Sequence, residues 1–307
     1  MTWVFREAIF ALNGDPAPGI VTTQDDFAIS WTSEESASKV ERLLQTKSEA
    51  EARSLFRLCS QSQWNYERAM KDLQAGSWRQ ALQKVLYRPY DVRWTVYDSN
   101  VAVHRRDRVM RHLLAGDNLA VLLTRQTREQ WDVLATRHIA AHKACAAYDI
   151  NSLFPLYLYP SPDKPLGQGL PPDWHAGKGG RVPNLSPEFV AEVQKKTGLQ
   201  FVSDGKGDLK KSFGPEDLFD YIYAVFHSPT YRKRYAEFLK SDFPRVPMTS
   251  NAKVFRRLCA LGAELVGLHL MESDAPSKSM TNYPIKGDNV VAKGCPSSPL
   301  KNSQSRS

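Results

Sequence analysis

An α+β fold is predicted by three features of the sequence. Apolar residues recur at helical spacing between Val40 and Leu73, β-branched and aromatic runs bounded by turn residues begin at Trp94, and capped amphipathic helices return after Ser186. Taken in order, these give a small helical N-terminal segment, a mixed α/β region, a helical C-terminal unit and a polar tail expected to be disordered.

Each element has its own warrant. Gly19–Ser30 (GIVTTQDDFAIS) alternates enough to be a strand entering a turn, and Thr32–Glu35 (TSEE) has the capping-box spacing of a hydroxyl three residues before a glutamate. Helical period then runs through Val40, Leu43 and Leu44, through Leu55, Phe56 and Leu58, and on to Leu73. WTVYD, NVAVH, NLAVLLTR and LFPLYLYP, between Trp94 and Pro160, have strand chemistry, whereas RDRVMRHLLAG (Arg106–Gly116) and REQWDVLATRHIAAHKA (Arg128–Ala144) are helical in period. Proline and glycine crowd Ser161–Val182, which marks a loop or hinge. Ser186 as N-cap, Pro187 at the first helical position and Gly198 as stop define the next helix. Gly214–Pro229 carries Leu218, Ile222, Val225 and Phe226 on one stripe, and Asn251–Glu272 does the same with Phe255, Leu258, Leu261, Leu265 and Leu268. The expected divisions are residues 1–80, 81–291 and a tail at 292–307.

Composition narrows the function. With 307 residues, 42% hydrophobic and 10% aromatic, the chain can bury a sizeable core. No apolar run reaches the length of a membrane helix and no secretory leader is visible, so the expected address is the cytoplasm, with no membrane partner. Cys59, Cys145, Cys259 and Cys295 lack a paired C-x-x-C spacing, which disfavours a disulfide framework and a zinc ribbon. The net charge is +8, yet residues 1–80 hold 9 basic against 11 acidic side chains, so the whole excess lies beyond Gln80. A neutral first quarter followed by a basic remainder suggests a local anion-binding face, and nucleic acid is the commonest polyanion.

Catalytic constellations are missing. LPPDW carries leucine where an exocyclic-amine methyltransferase needs asparagine or aspartate, and no glycine-rich strand end stands ready for its cofactor. GKGG and GKGD lack the strand and helix of a phosphate loop, SPDKP with the distant Gln194–Lys196 only loosely imitates a metal nuclease, and no G-x-S-x-G elbow is present. His138 and His142 lie four apart with Cys145 on the same face if the segment is helical, a spacing able to clasp a metal. No glutamate follows the first histidine, so a solvated or phosphate-facing pair is the preferred reading.

Basic chemistry is concentrated in Tyr87–Arg128, which holds eight arginines, four aspartates and no lysine. A guanidinium fork makes paired hydrogen bonds to a phosphate or a guanine edge, so Arg88, Arg93, Arg105, Arg106, Arg108, Arg111 and Arg125 are candidate DNA contacts. Pairs such as Arg88–Asp91 or Arg93–Asp98 would instead tie loops together. YRPYDVRWTVYD (Tyr87–Asp98) reads as a structural corner in which Pro89 fixes a bend and the aspartates hold arginines in place. Arg232, Lys233 and Arg234 form a second basic cluster, either a further backbone contact or the wet face of a helix.

Seven ordered motifs, IVTTQDDFAIS, YRPYDVRWTVYD, VMRHLLAGDNLAVLLTRQ, FPLYLYP, PNLSPEFV, DLFDYIYAVFHSPTYRKRYAEFLKSDFPRVPMTS and LGAELVGLHLMES, resemble the C-terminal part of Type ISP restriction–modification enzymes over nearly all of Gly19–Val291. Those enzymes join nuclease, helicase-like motor, adenine methyltransferase and target recognition in one polypeptide. The resemblance implies a specificity region that reads duplex DNA, with residues 1–80 a helical connector following the methyltransferase domain. It places S-adenosylmethionine, ATP and magnesium outside this chain, so no cofactor is expected on it. NYPIKGDNVV (Asn282–Val291) keeps a family feature, but AKGCPSSPLKNSQSRS replaces the strand-rich continuation, so truncation at both ends is expected. The resemblance leaves three roles open: a DNA-binding module, a methyltransferase fragment working with a separately encoded methyltransferase, helicase or nuclease part, or a relic without function.

Overall fold

The computed structural model describes residues 16–60, 62–161, 171 and 174–274, and residues 2–4 as backbone. The expected tail at 292–307 and half of the expected hinge lie outside them. In chain order the elements are β1 (Thr2–Val4), α1 (Asp25–Ala28), α2 (Ser33–Leu44), α3 (Glu49–Phe56), α4 (Tyr66–Gln74), β2 (Leu82–Arg88), β3 (Asp91–Val96), α5 (Asp107–Leu114), β4 (Ala120–Thr124), β5 (Val133–Thr136), β6 (Ile139–Ala140), β7 (Asn151–Pro155), β8 (Tyr157–Leu158), β9 (Val182–Pro183), α6 (Pro187–Thr197), β10 (Gln200–Phe201), β11 (Ser212–Phe213), α7 (Pro215–His227), α8 (Pro229–Arg234), α9 (Ala236–Leu239), β12 (Arg245–Pro247) and α10 (Ala252–His269). This is the α+β mixture that the sequence predicts, built from short sheets. Among the described residues no helix is long and apolar enough to cross a membrane.

Caps set the helix starts where the sequence places them. Thr32 accepts from the Glu35 amide at 3.1 Å, Ser48 from Glu51 at 3.2 Å and Ser186 from Phe189 at 3.3 Å, each satisfying an amide that the first turn leaves unpaired. Gly198 ends α6 at φ 71°, the left-handed conformation that glycine tolerates best.

Two three-stranded sheets lie at the centre. In the first, β2 pairs antiparallel with β3 (Lys84 opposite Trp94) and parallel with β6 (Val85 opposite Ile139). In the second, β4 is flanked by β5 and β7, both antiparallel, and every residue of β4 is buried. Three apolar clusters hold the molecule. One lies among α1–α4 and includes Trp64, Trp78 and Val96; a second, with Ile20, Val85, Met110 and Leu122, joins the sheets to α5; the largest, with Phe189, Phe219, Phe226 and Phe255, lies under α6, α7 and α10.

Several expectations are corrected. Arg128–Ala144 is not a helix but β5, a turn and β6, because both faces of these strands are covered and a continuous apolar run also fits helical spacing. His138, His142 and Cys145 therefore share no helical face, and no group of three His, Cys, Asp or Glu that could hold a metal exists among the described residues. In the mixed region strand structure starts at Leu82 instead of Trp94. Asn100–His104 is a turn with one bridge, His104 to Val21, and only isolated bridges at Ala17, Ile20, Val21 and Ser30 stand for the strand expected in Gly19–Ser30, which also contains α1. On α10 the buried stripe is Phe255, Cys259, Gly262 and Val266, while Leu261 and Leu268 are exposed. Gly262 decides that rotation: a methyl at this position would overlap the Asp220 carbonyl, so only glycine lets α10 lie on the α7 backbone.

Candidate nucleic-acid interface

YRPYDVRWTVYD folds as the β2–β3 hairpin, with Pro89 and Tyr90 at its turn and Tyr90 left-handed at φ 61°. Arg93 grips Asp91 with both arms of its fork, Nε at 2.5 Å and Nη2 at 2.9 Å, and lies against the Trp31 indole. Asp98, the expected partner of Arg93, instead accepts from the Asn100 amide at 2.8 Å and closes the turn after the hairpin. Arg88 has no aspartate either. Its Nη1 donates to the carbonyls of Tyr87 (2.9 Å) and Lys143 (3.3 Å), and its guanidinium lies 4.2 Å from the Tyr87 ring centroid. The result is an alternating row of ring and guanidinium: Trp31, Arg93, Tyr87, Arg88. At its side the Tyr87 hydroxyl donates to Asp25 at 2.8 Å, which together with burial raises the phenol's pKa.

The second group of candidates stands at the start of α5. His104 pairs with Val21, so the chain brings Arg105 and Arg106 to one side of the Ile20–Asp25 segment, whose other side meets Ala140–His142 and Tyr87. The Tyr97 hydroxyl donates to the Arg105 carbonyl at 3.0 Å and to Asp107 at 3.2 Å, and the Arg105 guanidinium lies 5.3 Å from the Tyr97 ring centroid. Arg106 is the N-cap of α5 in a left-handed conformation (φ 54°, ψ 41°), fully on the surface. Arg108, two residues on in the first turn of α5, is exposed. Arg88, Arg105 and Arg106 have no carboxylate at ion-pair distance among the described residues.

The remaining candidates are spread out. Arg111 donates to the Tyr159 carbonyl at 3.1 Å, Arg125 pairs with Asp242 at 3.0 Å on an exposed surface, and Arg232 is a tie between elements, donating to Asp132 and the Phe226 carbonyl, both at 2.7 Å. Lys233 and Arg234 are exposed on α8 and have no partner among the described residues. The structure thus brings together Arg88, Arg93, Arg105 and Arg106 around one segment and leaves Arg125 and Arg232–Arg234 elsewhere.

Sequence reasoning passed over Trp31, 66% exposed, and Lys143 at the far end of the row. A signal for Trp31 exists: it precedes the N-cap Thr32, where an apolar side chain normally staples onto the fourth helical residue, but that residue is Ser36, which has no apolar surface to receive an indole. A polar cavity of about 350 Å³ between Asp117, Arg137, Lys178, Arg181 and Glu216 is not a rival site. Its one buried cation, Arg181, is already held by Asp204 at 2.7 Å, the Asp117 carbonyl at 2.7 Å and the face of Tyr157.

Comparison with solved structures returns the same fold. The chain superposes on a DrdV–DNA complex with a TM-score of 0.58 at 23% identity, covering 82% of this chain and 23% of that one. It matches the DNA-bound ATP-dependent Type ISP restriction–modification enzyme LlaBIII with a TM-score of 0.58 at 19% identity, covering 87% and 17%. A nuclease-deletion mutant of the Type ISP enzyme LlaGI, in complex with a DNA substrate mimic, matches with a TM-score of 0.53 at 17% identity, covering 88% and 19%. The chain therefore spans about a fifth of the length of these structures. No curated protein matches its sequence. The family model of the Type ISP C-terminal specificity domain matches residues 9–305, which include the continuation AKGCPSSPLKNSQSRS almost to its end, and the chain belongs to that family.

Proposed function

We propose that this chain binds duplex DNA and supplies target recognition to a restriction–modification system. The observation that carries the reading is the arginine surface around Ile20–Asp25, where Arg88, Arg105 and Arg106 lack carboxylate partners among the described residues and Arg93 is held rigidly between Asp91 and Trp31. Guanidiniums pinned by rings and carbonyls lose little side-chain entropy on meeting a phosphate or a base edge. Three solved structures of the same fold are described as DNA complexes, which supports the same partner here. In this reading Arg106 and Arg108 on the α5 end contact the phosphate backbone, Arg105 and Arg88 stand closer to the groove, and Trp31 covers the edge of the contact.

Because the chain spans about a fifth of these structures, nuclease, motor and methyl transfer, with their S-adenosylmethionine, ATP and magnesium, belong to other segments, on the same or a separate polypeptide. The same coverage supports a second reading, in which this chain completes an adenine methyltransferase in trans. Its mark is methylation that appears only when both parts are mixed.

A salt titration of affinity for a duplex tests the first reading. Arginine-driven binding loses affinity steeply, by several powers of ten for six or more phosphate contacts, between about 50 and about 200 mM salt, and Arg106→Ala lowers the slope by about one. An affinity that ignores salt would rule it out.

A further inference from the structure

A second feature, remote from the arginine surface in sequence, has the chemistry of a nucleobase site. Helices α8 and α9 and strand β12 enclose a groove of about 470 Å³ whose lining is mostly ring: Tyr231, Tyr235, Phe238 and Phe243, with Pro244 and Pro247. Its geometry is fixed from behind. The Tyr231 hydroxyl donates to the Arg245 carbonyl and the Tyr221 hydroxyl to the Pro247 carbonyl, both at 2.6 Å, so α8 and α7 are tied to β12 across the groove floor. Tyr231 and Tyr235 stand 5.0 Å apart by ring centroid, and Phe243 is wedged edge-on against Phe154 in the core. Phe238 is different: at 72% exposure it packs on nothing that explains a phenylalanine there.

Charge selects the occupant. Arg125, Lys233, Arg234, Lys240 and Arg245 stand on the elements that form or border the groove, against the carboxylates Glu237 and Asp242. Glu237 is taken by Lys240 at 3.0 Å and Asp242 by Arg125 at 3.0 Å, which leaves Lys233, Arg234 and Arg245 with no ion pair among the described residues. Arg125 also lies 5.9 Å from the centroid of Phe243, one of the lining rings. A row of rings with surplus cations along its edge is how proteins hold single-stranded nucleic acid, each base stacking on a ring while the backbone follows the charges. A stacked duplex shows only its edges and cannot present a base face to such a groove.

We propose that the α8–α9–β12 groove binds an unpaired nucleotide of DNA, stacking its base on Phe238 and Tyr235 with its phosphates on Arg234 and Arg245. The inference rests on the reading that the chain binds DNA, and makes it two-handed: duplex at the arginine surface, an unstacked base at the groove.

The test uses the full chain and two fluorescein-labelled probes, a blunt duplex and a twelve-nucleotide oligo-dT. Wild-type protein should bind both, and Phe238→Ala should weaken oligo-dT by roughly tenfold to a hundredfold while leaving duplex affinity within about twofold. Because Phe238 is on the surface, its removal leaves the melting temperature unchanged. Arg245→Gln serves as an independent variant with the same expected pattern and a reduced salt dependence for oligo-dT. Photocrosslinking of bromodeoxyuridine-substituted oligo-dT should map to α8–α9. If oligo-dT binds equally well to both variants, or is displaced by polyglutamate at equal charge concentration, the groove is not a nucleotide site, whatever the duplex result. Failure of wild-type protein to bind the duplex while it holds oligo-dT would instead overturn the duplex reading alone.

Discussion

Arg93 and Arg106 both lie in an arginine-rich stretch, yet their surroundings assign them opposite roles. Arg93 is only 16% exposed in its side chain, forked onto Asp91 and stacked on Trp31. Arg93→Ala should therefore lower stability by about 1–2 kcal/mol, read from a denaturant midpoint, at least as clearly as it lowers DNA affinity. A stable variant that no longer binds would make Arg93 a contact and not a brace. Arg106 occupies a left-handed conformation that costs a residue with a side chain about 1 kcal/mol. Arg106→Gly should leave the melting temperature unchanged or slightly raised while DNA affinity falls several-fold. The sequence disclosed the density of arginines but not this difference, because partner choice depends on where a turn ends. The sequence pairs Arg93 with Asp98, five residues on, and Arg88 with Asp91; in the hairpin Asp91 stands beside Arg93 and Asp98 turns toward Asn100.

Among the elements, the helices with polar punctuation were the readable ones. Thr32 and Ser186 announce their helices, and Gly198 ends one, through local hydrogen bonds that need no tertiary partner. β5 and β6 were not readable, because a strand covered on both faces loses the alternation that distinguishes it from a helix. Nor was the orientation of α10. Of its leucines, 258 and 265 pack at the margin of the core and 261 and 268 face outward, because the helix turns the stripe containing Gly262 toward α7, where close backbone approach gains more contact than larger side chains held at a distance. Gly262→Ala, which by propensity alone should strengthen a helix, is expected to destabilise the protein by about 2 kcal/mol or more, measured by thermal unfolding. A neutral result would show that α7 and α10 can separate without loss.

For the whole molecule, the buried histidines set the response to acid. Burial pushes His112 and His227 down to about 4 from 6.5, and lowers His138, His142 and His269 as well. His112 also accepts the Tyr159 amide at Nδ1, 2.9 Å away, which a protonated ring could not do. Between the folded and unfolded values the unfolded chain binds protons that the native state refuses, so these groups make stability rise with pH. Burial of Asp220 acts in the opposite sense: its carboxyl is pushed up to about 6 from 3.8, so its contribution falls as pH rises through that window. Burial raises the Asp217 carboxyl in the same sense, but five lowered histidines outweigh two raised aspartates, and the denaturant midpoint should climb from about pH 4.5 to about pH 7, with a shallower climb in His112→Gln. A flat or descending profile would contradict this balance. The row Trp31, Arg93, Tyr87, Arg88 has a consequence at the same scale. Trp31 sits at the head of α2, whose apolar side chains belong to the helical cluster, while Tyr87 packs on the cluster that joins the sheets. A ligand that seizes this row grips residues of both clusters at once, so its binding free energy opposes opening of either. Saturating duplex should thus slow amide hydrogen exchange in α2–α4 as well as in β2 and β3.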